Sequence, residues 1–209
     1  MAQNELPARG HFPKLKLGKK APKKADALLI AAFESEGGLE LPGTELLGAA
    51  ALRSTYEALV AVGASGTAGE VTRVPAPAKA GVASIIAVGL GEAEEVDDET
   101  LRRAAGQAAR SINKVEQVAT SLGDFGIAPV VEGLILGGYK YAGLRSESAT
   151  APTTFTVVAE KSAQEEFENA KITAESVLLA RDLVNTPSNL LYPESYAAFL
   201  SAQAAEAGL

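Results

Sequence analysis

The sequence predicts an α/β layered domain, with a largely parallel central sheet flanked by helices and followed by one long helix. Three observations carry this. Short apolar runs alternate along the chain with segments of helical period, as strands joined by crossover helices do. Hydrophobic residues make up 47% of the 209, yet there is no tryptophan and aromatics reach only 5%, so the core must be built from Ala, Val, Leu and Ile. Twenty glycines among many alanines suit close packing of helix on sheet. This length accommodates one domain, or one domain plus part of another.

Taken in order, Lys14-Leu15-Lys16-Leu17 alternates with period 2, as an edge strand does. Ala27 to Phe33 is a continuous apolar run and reads as a buried strand. Glu45 to Leu59 reads as a helix that offers Leu46, Leu47, Ala50, Leu52 and Leu59 to a core. The glycine-rich Gly63 to Gly69 connects it to a short strand, Glu70 to Val74, which Pro75 and Pro77 end. Ser84 to Val88 is the most strand-like run and Gly89 closes it. A helix over Glu99 to Ile112 puts Leu101, Ala105, Ala108 and Ile112 on one face. Then follow a strand (Val115 to Leu122), a helix (Pro129 to Tyr141) and a strand (Thr153 to Ala159).

The long helix runs from Ala163 to Val184. Phe167, Ala170, Ala174, Val177, Leu178 and Leu183 form its apolar stripe, while Glu165, Glu166, Glu168, Lys171 and Glu175 hold the wet side. Pro187 pushes the residue before it out of the helical region, and Asn185 and Thr186 are natural breakers. Pro193-Glu194 begins a shorter helix with Tyr196, Phe199 and Leu200 at helical spacing, ended by Gly208.

Charge and composition exclude several classes of function. Without cysteine there are no disulfides, thiolate metal sites or cysteine nucleophiles. No apolar run reaches the roughly 18 to 20 residues of a membrane span, and the N-terminus lacks the apolar core of a signal peptide. A soluble cytoplasmic protein is the default expectation. The net charge of −7 is uneven. Arg9, Lys14, Lys16, Lys19, Lys20, Lys23 and Lys24 face Glu5 alone within residues 1–24, a balance of +6 that leaves −13 for the remainder. Such an arm can serve as a solvated edge strand, or touch nucleic acid or an acidic subunit face. The acidity of the rest opposes extended nucleic-acid binding, which requires positive charge to displace counterions.

Each local candidate for chemistry meets a plainer reading. Gly89-Leu90-Gly91, between a strand and a helix, has the outline of a phosphate-binding turn, in which backbone N–H groups and a helix N-terminus face an anion. The third glycine is missing, and Glu92, Glu94, Glu95, Asp97, Asp98 and Glu99 fill the approach, so a structural turn is expected. That acidic run lacks the glycine of a calcium loop and is expected to be an exposed loop. His11 is the sole histidine and has no second histidine or cysteine with which to share a metal. The serines lack a nearby histidine base. Lys140, between Tyr139 and Tyr141, is expected to cover apolar surface with its stem and extend its charge into water. No catalytic, cofactor-binding or metal-binding residue is assigned.

The string Ala180-Arg181-Asp182-Leu183-Val184-Asn185-Thr186-Pro187-Ser188-Asn189, followed by Tyr192-Pro193-Glu194, resembles the junction of the leucyl aminopeptidase family of metallopeptidases, where a linking helix meets the catalytic domain. Two further segments are similar to the family's N-terminal domain. One is Val88-Gly89-Leu90-Gly91 followed by Thr100-Leu101-Arg102-Arg103-Ala104-Ala105-Gly106; the other runs from Glu132-Gly133-Leu134 to Gly137-Gly138-Tyr139-Lys140-Tyr141. The resemblance implies a macro-domain-like layered sandwich and a division into a basic arm or edge strand (1–24), an α/β domain (25–162), a linking helix (163–186) and the start of a catalytic domain (187–209). It implies a metallo-exopeptidase that removes N-terminal residues, leucine favoured. Two divalent ions, zinc or manganese, would be held by Asp, Glu and Lys of the catalytic half. The family's Asn-Thr-Asp-Ala-Glu-Gly-Arg signature is absent here, so no cofactor is expected in this chain, which is predicted to be inactive alone. Its implied partners are its own catalytic domain and sister subunits of a homohexamer that it caps and helps organise. The alternatives are contact with DNA through the Lys14 to Lys24 arm, and binding of a nucleotide resembling ADP-ribose.

Overall fold

The sheet grows outward from the most apolar strand. In the computed structural model, which describes residues 6, 9–78, 80–141 and 153–209, β2 (Ala27–Ser35) lies at the centre with seven consecutive buried residues. It pairs in parallel with β5 (Ser84–Glu92) on one side and with β6 (Gln117–Thr120) on the other. Beyond β6 come β7 (Thr154–Val158) and β1 (Lys14–Gly18), both parallel. Beyond β5 lies the antiparallel β4 (Val71–Pro75). A short β3 (Gly38–Glu40) folds back antiparallel on the end of β2. The spatial order is β1-β7-β6-β2-β5-β4, with β3 off this path.

Period-2 alternation divides the buried strands between two cores. Leu29, Ala31, Phe33, Ile86, Val88 and Phe155 face one layer. It is formed by α2 (Asp98–Ser111), α3 (Ile127–Gly138) and the long α4 (Gln164–Asn185). Leu28, Ile30, Ala32, Ile85 and Ala87 face the other, where α1 (Ala49–Ala61) contributes Leu59. A last helix, α5 (Pro193–Glu206), follows the α4 terminus. Its Pro193 occupies the first turn, where a missing N–H costs nothing. Ser195 closes a capping box, its Oγ accepting the Tyr192 N–H at 2.9 Å.

The α2–α3 contact depends on the absence of side chains. A Cβ on Gly137 would strike the backbone of Gly106, and one on Gly133 would strike the Arg102 carbonyl. The glycine content suggests packing of helix on sheet, whereas these glycines serve a contact of helix on helix. Arg102 ties the same pair together by donating to Glu132 on α3 at 2.7 Å and to Glu99 on its own helix at 2.6 Å.

Several expectations change in detail. β5 does not close at Gly89 but continues to Glu92, because Gly89 and Gly91 are held by backbone pairing to the 66–70 loop. α1 begins at Ala49 rather than Glu45; Leu47 is buried from the preceding turn, whose bonds run to Thr44. β6 is shorter than Val115 to Leu122, since a 3-10 turn takes over at Leu122. α3 ends at Gly138, and Tyr139 already has extended backbone. β3 had no apolar signal beyond Leu39. Val177, placed in the α4 stripe, is 40% exposed, and Leu183 is only half-buried. The stripe that packs is Phe167, Ala170, Ala174, Leu178 and Asp182, so its last member is a carboxylate.

The basic arm is divided in use. Residues 1–5, 7 and 8, including Glu5, lie outside the described residues. Leu15 is buried while Lys14 and Lys16 are exposed on β1, as an alternating edge strand requires. Lys19 pairs with Glu160 at 3.1 Å on the surface.

Candidate functional site: a clasp at the end of the long helix

The most developed polar cluster among the described residues forms where α4 ends. Asp182 arrives there because it lies four residues after Leu178 on the helix face turned towards α3. Its side chain is only 5% exposed, and burying a carboxylate demands partners. Oδ1 accepts the Tyr139 hydroxyl at 2.7 Å and the Gly10 N–H at 2.8 Å. Asn185, one turn later, donates Nδ2–H to the Tyr139 hydroxyl at 3.3 Å. Burial pushes the Tyr139 phenol above its ordinary value, and donation to Asp182 adds to this, so the hydroxyl stays protonated and donating.

The same residues stop the helix. The Asp182 carbonyl accepts both the Thr186 N–H at 3.0 Å and the Thr186 hydroxyl at 2.7 Å. Pro187 then ends the ladder, and its carbonyl accepts the Leu190 and Leu191 N–H groups. Arg181 reaches across to α3, donating to the Leu136 carbonyl at 2.9 Å with its guanidinium 5.7 Å from the Tyr139 ring centre.

The N-terminal segment closes the clasp from outside. His11 and Lys140 exchange backbone hydrogen bonds at 2.8 Å in both directions. A Cβ at Gly10 would overlap the Tyr139 ring, and one at Gly138 would overlap the Pro13 ring. His11 and Lys140 thus contribute backbone to this place while their side chains are exposed.

The glycine turn and the acidic run are also accounted for. The Gly89 N–H donates to the Glu70 carbonyl at 2.8 Å and the Gly91 N–H to the Gly66 carbonyl at 3.0 Å. Neither faces an anion. The Glu70 carboxylate fills the loop itself, accepting the Ser65 and Gly66 N–H groups at 2.9 Å and the Ser65 hydroxyl at 2.8 Å. Burial pushes the Glu70 carboxyl up, but the hydrogen bonds from Ser65, Gly66 and Thr72 outweigh it and hold the carboxyl below the usual range. In the acidic run, Asp97 caps α2 by accepting the Thr100 N–H and hydroxyl at 2.7 Å. Glu99 binds Arg102 and Arg103. No group of three or more His, Asp or Glu side chains suited to a metal occurs among the described residues. Of these carboxylates, Glu70 and Asp97 are committed to backbone N–H groups and hydroxyls, and Glu99 to two arginines.

These features define an α/β domain of mostly parallel sheet whose long exit helix is bolted to its own N-terminal segment. The N-terminal domain model of the cytosol aminopeptidase family matches residues 27–148, and the chain belongs to that family. A probable cytosol aminopeptidase of Corynebacterium glutamicum is 51% identical over 98% of this chain and 42% of its own length. Another from Corynebacterium diphtheriae is 48% identical over 100% and 43%. The chain therefore spans about two fifths of the length of these relatives. Among solved structures, the bottromycin maturation enzyme BotP superposes with a TM-score of 0.67 at 27% identity, over 88% of this chain and 38% of that one. The same enzyme in complex with Mn also matches with a TM-score of 0.67. A tomato leucine aminopeptidase mutant shares the fold, with a TM-score of 0.70 over 96% of this chain and 44% of that one. No helix among the described residues is long and apolar enough to cross a membrane.

Asp182 and Tyr139 lie in two separate strings of the family resemblance, and the sequence marks neither with a role. The available signal was an acidic residue at the i+4 position of a buried stripe, which has to find a donor once packed.

Proposed function

We propose that this chain is the non-catalytic N-terminal part of an aminopeptidase of the cytosol type, a two-metal exopeptidase acting on peptide N-termini, leucine favoured. The observation that carries the reading is the family match over residues 27–148 in a chain that spans about 42% of its relatives. On this reading residues 25–162 form the α/β unit, 163–186 the linking helix, and 187–209 the opening of the catalytic domain. On this reading the zinc or manganese pair belongs to that catalytic domain. The role of this part is architectural: it holds the linking helix rigidly, caps the catalytic half and helps organise a cytoplasmic hexamer. Its physical means is the Asp182 clasp, which prevents α4 from swinging away from the sheet.

The test is release of leucine from leucyl amide with manganese or zinc added. The 209-residue chain alone is expected to give no turnover. A chimera in which it replaces the matching segment of the Corynebacterium glutamicum relative is expected to be active and to sediment as a hexamer. Turnover by the chain alone would overturn the reading, and so would a folded but inactive chimera. The nucleotide-binding alternative has the glycine-turn N–H groups against it, since the protein's own carbonyls already accept them.

A further inference from the structure

Unpaired charges of opposite sign collect at two separate places on the fold. The positive set lies at one edge of the sheet. Leu15 turns into the core shared with α2, α3 and α4, so Lys14 and Lys16 stand on the opposite face of β1, the side of α1. The segment after β1 crosses that same side, where Ala21 and Ala25 pack against the α1 core while Lys20, Lys23 and Lys24 stay exposed. None of these five lysines makes an ion pair among the described residues; Lys19, beside them, is spent on Glu160.

The negative set gathers where β2, β3 and β5 meet. Glu34 and Glu92 are register partners on β2 and β5, and Glu40 of β3 pairs with Phe33 beside them. Glu36 lies in the turn between β2 and β3, and Glu94 and Glu95 in the turn that follows β5. All six are exposed, and none pairs with a lysine or arginine among the described residues. The two sets cannot neutralise each other within one molecule. Three strand spacings separate β1 from β2, about 14 Å before any distance along the strands is added. That exceeds the Debye length of about 8 Å at physiological ionic strength. Each set is therefore left with its own like-charge repulsion.

We infer that a second copy of this chain docks its acidic end on the lysine face of the first. The complementary surface is on the chain itself, and a second copy brings the two sets to contact distance where one copy cannot. The two surfaces differ, so the contact runs head to tail. Each copy in a pair keeps one free face, and assemblies grow beyond two as concentration rises. The opposite signs orient the copies during encounter. The inference rests on these two faces and not on the hexamer proposed above.

The test is sedimentation velocity of the 209-residue chain over a concentration series, at about 0.1 M and about 1 M salt, where the Debye length is about 10 Å and about 3 Å. The lower salt screens the long-range repulsion between chains of net charge −7 yet leaves charges in contact attracting. The sedimentation coefficient is expected to rise with concentration there and to stay at the monomer value in the higher salt. Two charge-reversed variants assign the faces: Lys20→Glu with Lys23→Glu, and Glu94→Lys with Glu95→Lys. Each alone is expected to associate at least about tenfold more weakly, since like charges then meet at the contact. An equimolar mixture of the two is expected to restore association, because each variant supplies the face that the other has lost. Each reversal moves the net charge of −7 by two, so the variants stand at −11 and −3. Both are negative, and general attraction does not account for such a rescue. A chain that stays monomeric at every concentration would overturn the inference. So would association that survives in both variants, or a mixture no stronger than its components. Retention of a DNA duplex by the lysine face of a monomeric chain would also overturn it, assigning that face to nucleic acid.

Discussion

At the scale of single residues, the buried acidic group at the end of α4 carries the most consequence. Replacing Asp182 by Ala leaves the Tyr139 hydroxyl and the Gly10 N–H without their acceptor. That loss is expected to cost about 2–3 kcal/mol in urea unfolding, since hydrogen bonds to a charged group contribute about 1.5–3 kcal/mol. Tyr139→Phe removes one of the two donors and is expected to cost about 1.5 kcal/mol, the low end of that range. A cost near zero for both would show that the clasp does not contribute to stability. Glu70 answers to pH instead. Its carboxyl is held below the ordinary value in the folded chain, so its contribution is fully present above the unfolded value and is lost as pH falls through the folded one. Urea midpoints between about pH 6 and pH 3 should therefore decline less steeply in Glu70→Gln than in the unaltered chain. Parallel declines would rule out the Glu70 latch. Neither role could be read from the chain. Asp182 lies in a resemblance string and Glu70 at a predicted strand start, and only folding brings Gly10 to the first and Ser65 to the second.

At the scale of elements, the helices show why period is readable and contact is not. The 3.6-residue pattern placed α2 and α4 to within a residue or two, because amphipathicity is local. It also gave Val177 to the core, since an apolar residue beside Leu178 fits the same arc. The structure instead turns the helix so that Asp182 packs. The α2–α3 seam depends on glycine at Gly137, where any side chain would meet Gly106. Gly137→Ala is expected to force the helices apart and cost about 1–3 kcal/mol, the usual range for overpacking. Because alanine normally favours a helix by about 1 kcal/mol over glycine, stabilisation by this change would refute the seam geometry.

At the scale of the whole molecule, the N-terminal segment belongs to the fold. Deleting residues 1–13 removes the Gly10–Asp182 and His11–Lys140 bonds while leaving β1. The truncated chain is expected to fold but to melt several degrees lower, because a loss of about 1 kcal/mol shifts a domain of this size by about 2–4 °C. Deleting residues 1–18 also removes β1, exposing the β7 edge, and aggregation measured by light scattering is the expected result. Soluble, unchanged behaviour of both truncations would show that the arm is dispensable.

The sequence by itself determined the layered α/β class, the order of nearly every strand and helix, the stop at Asn185-Thr186-Pro187 and the family. All of these are local signals: periodicity, propensity and short strings survive without knowledge of the partner segment. The tertiary structure alone decided that β1 lies beside β7, that β5 runs on past its glycines, and that Asp182, Tyr139 and Gly10 meet. Those are contacts between segments up to 172 positions apart. No window along the chain contains both ends of such a contact, and the burial that makes an aspartate seek a tyrosine exists only once the layers have closed.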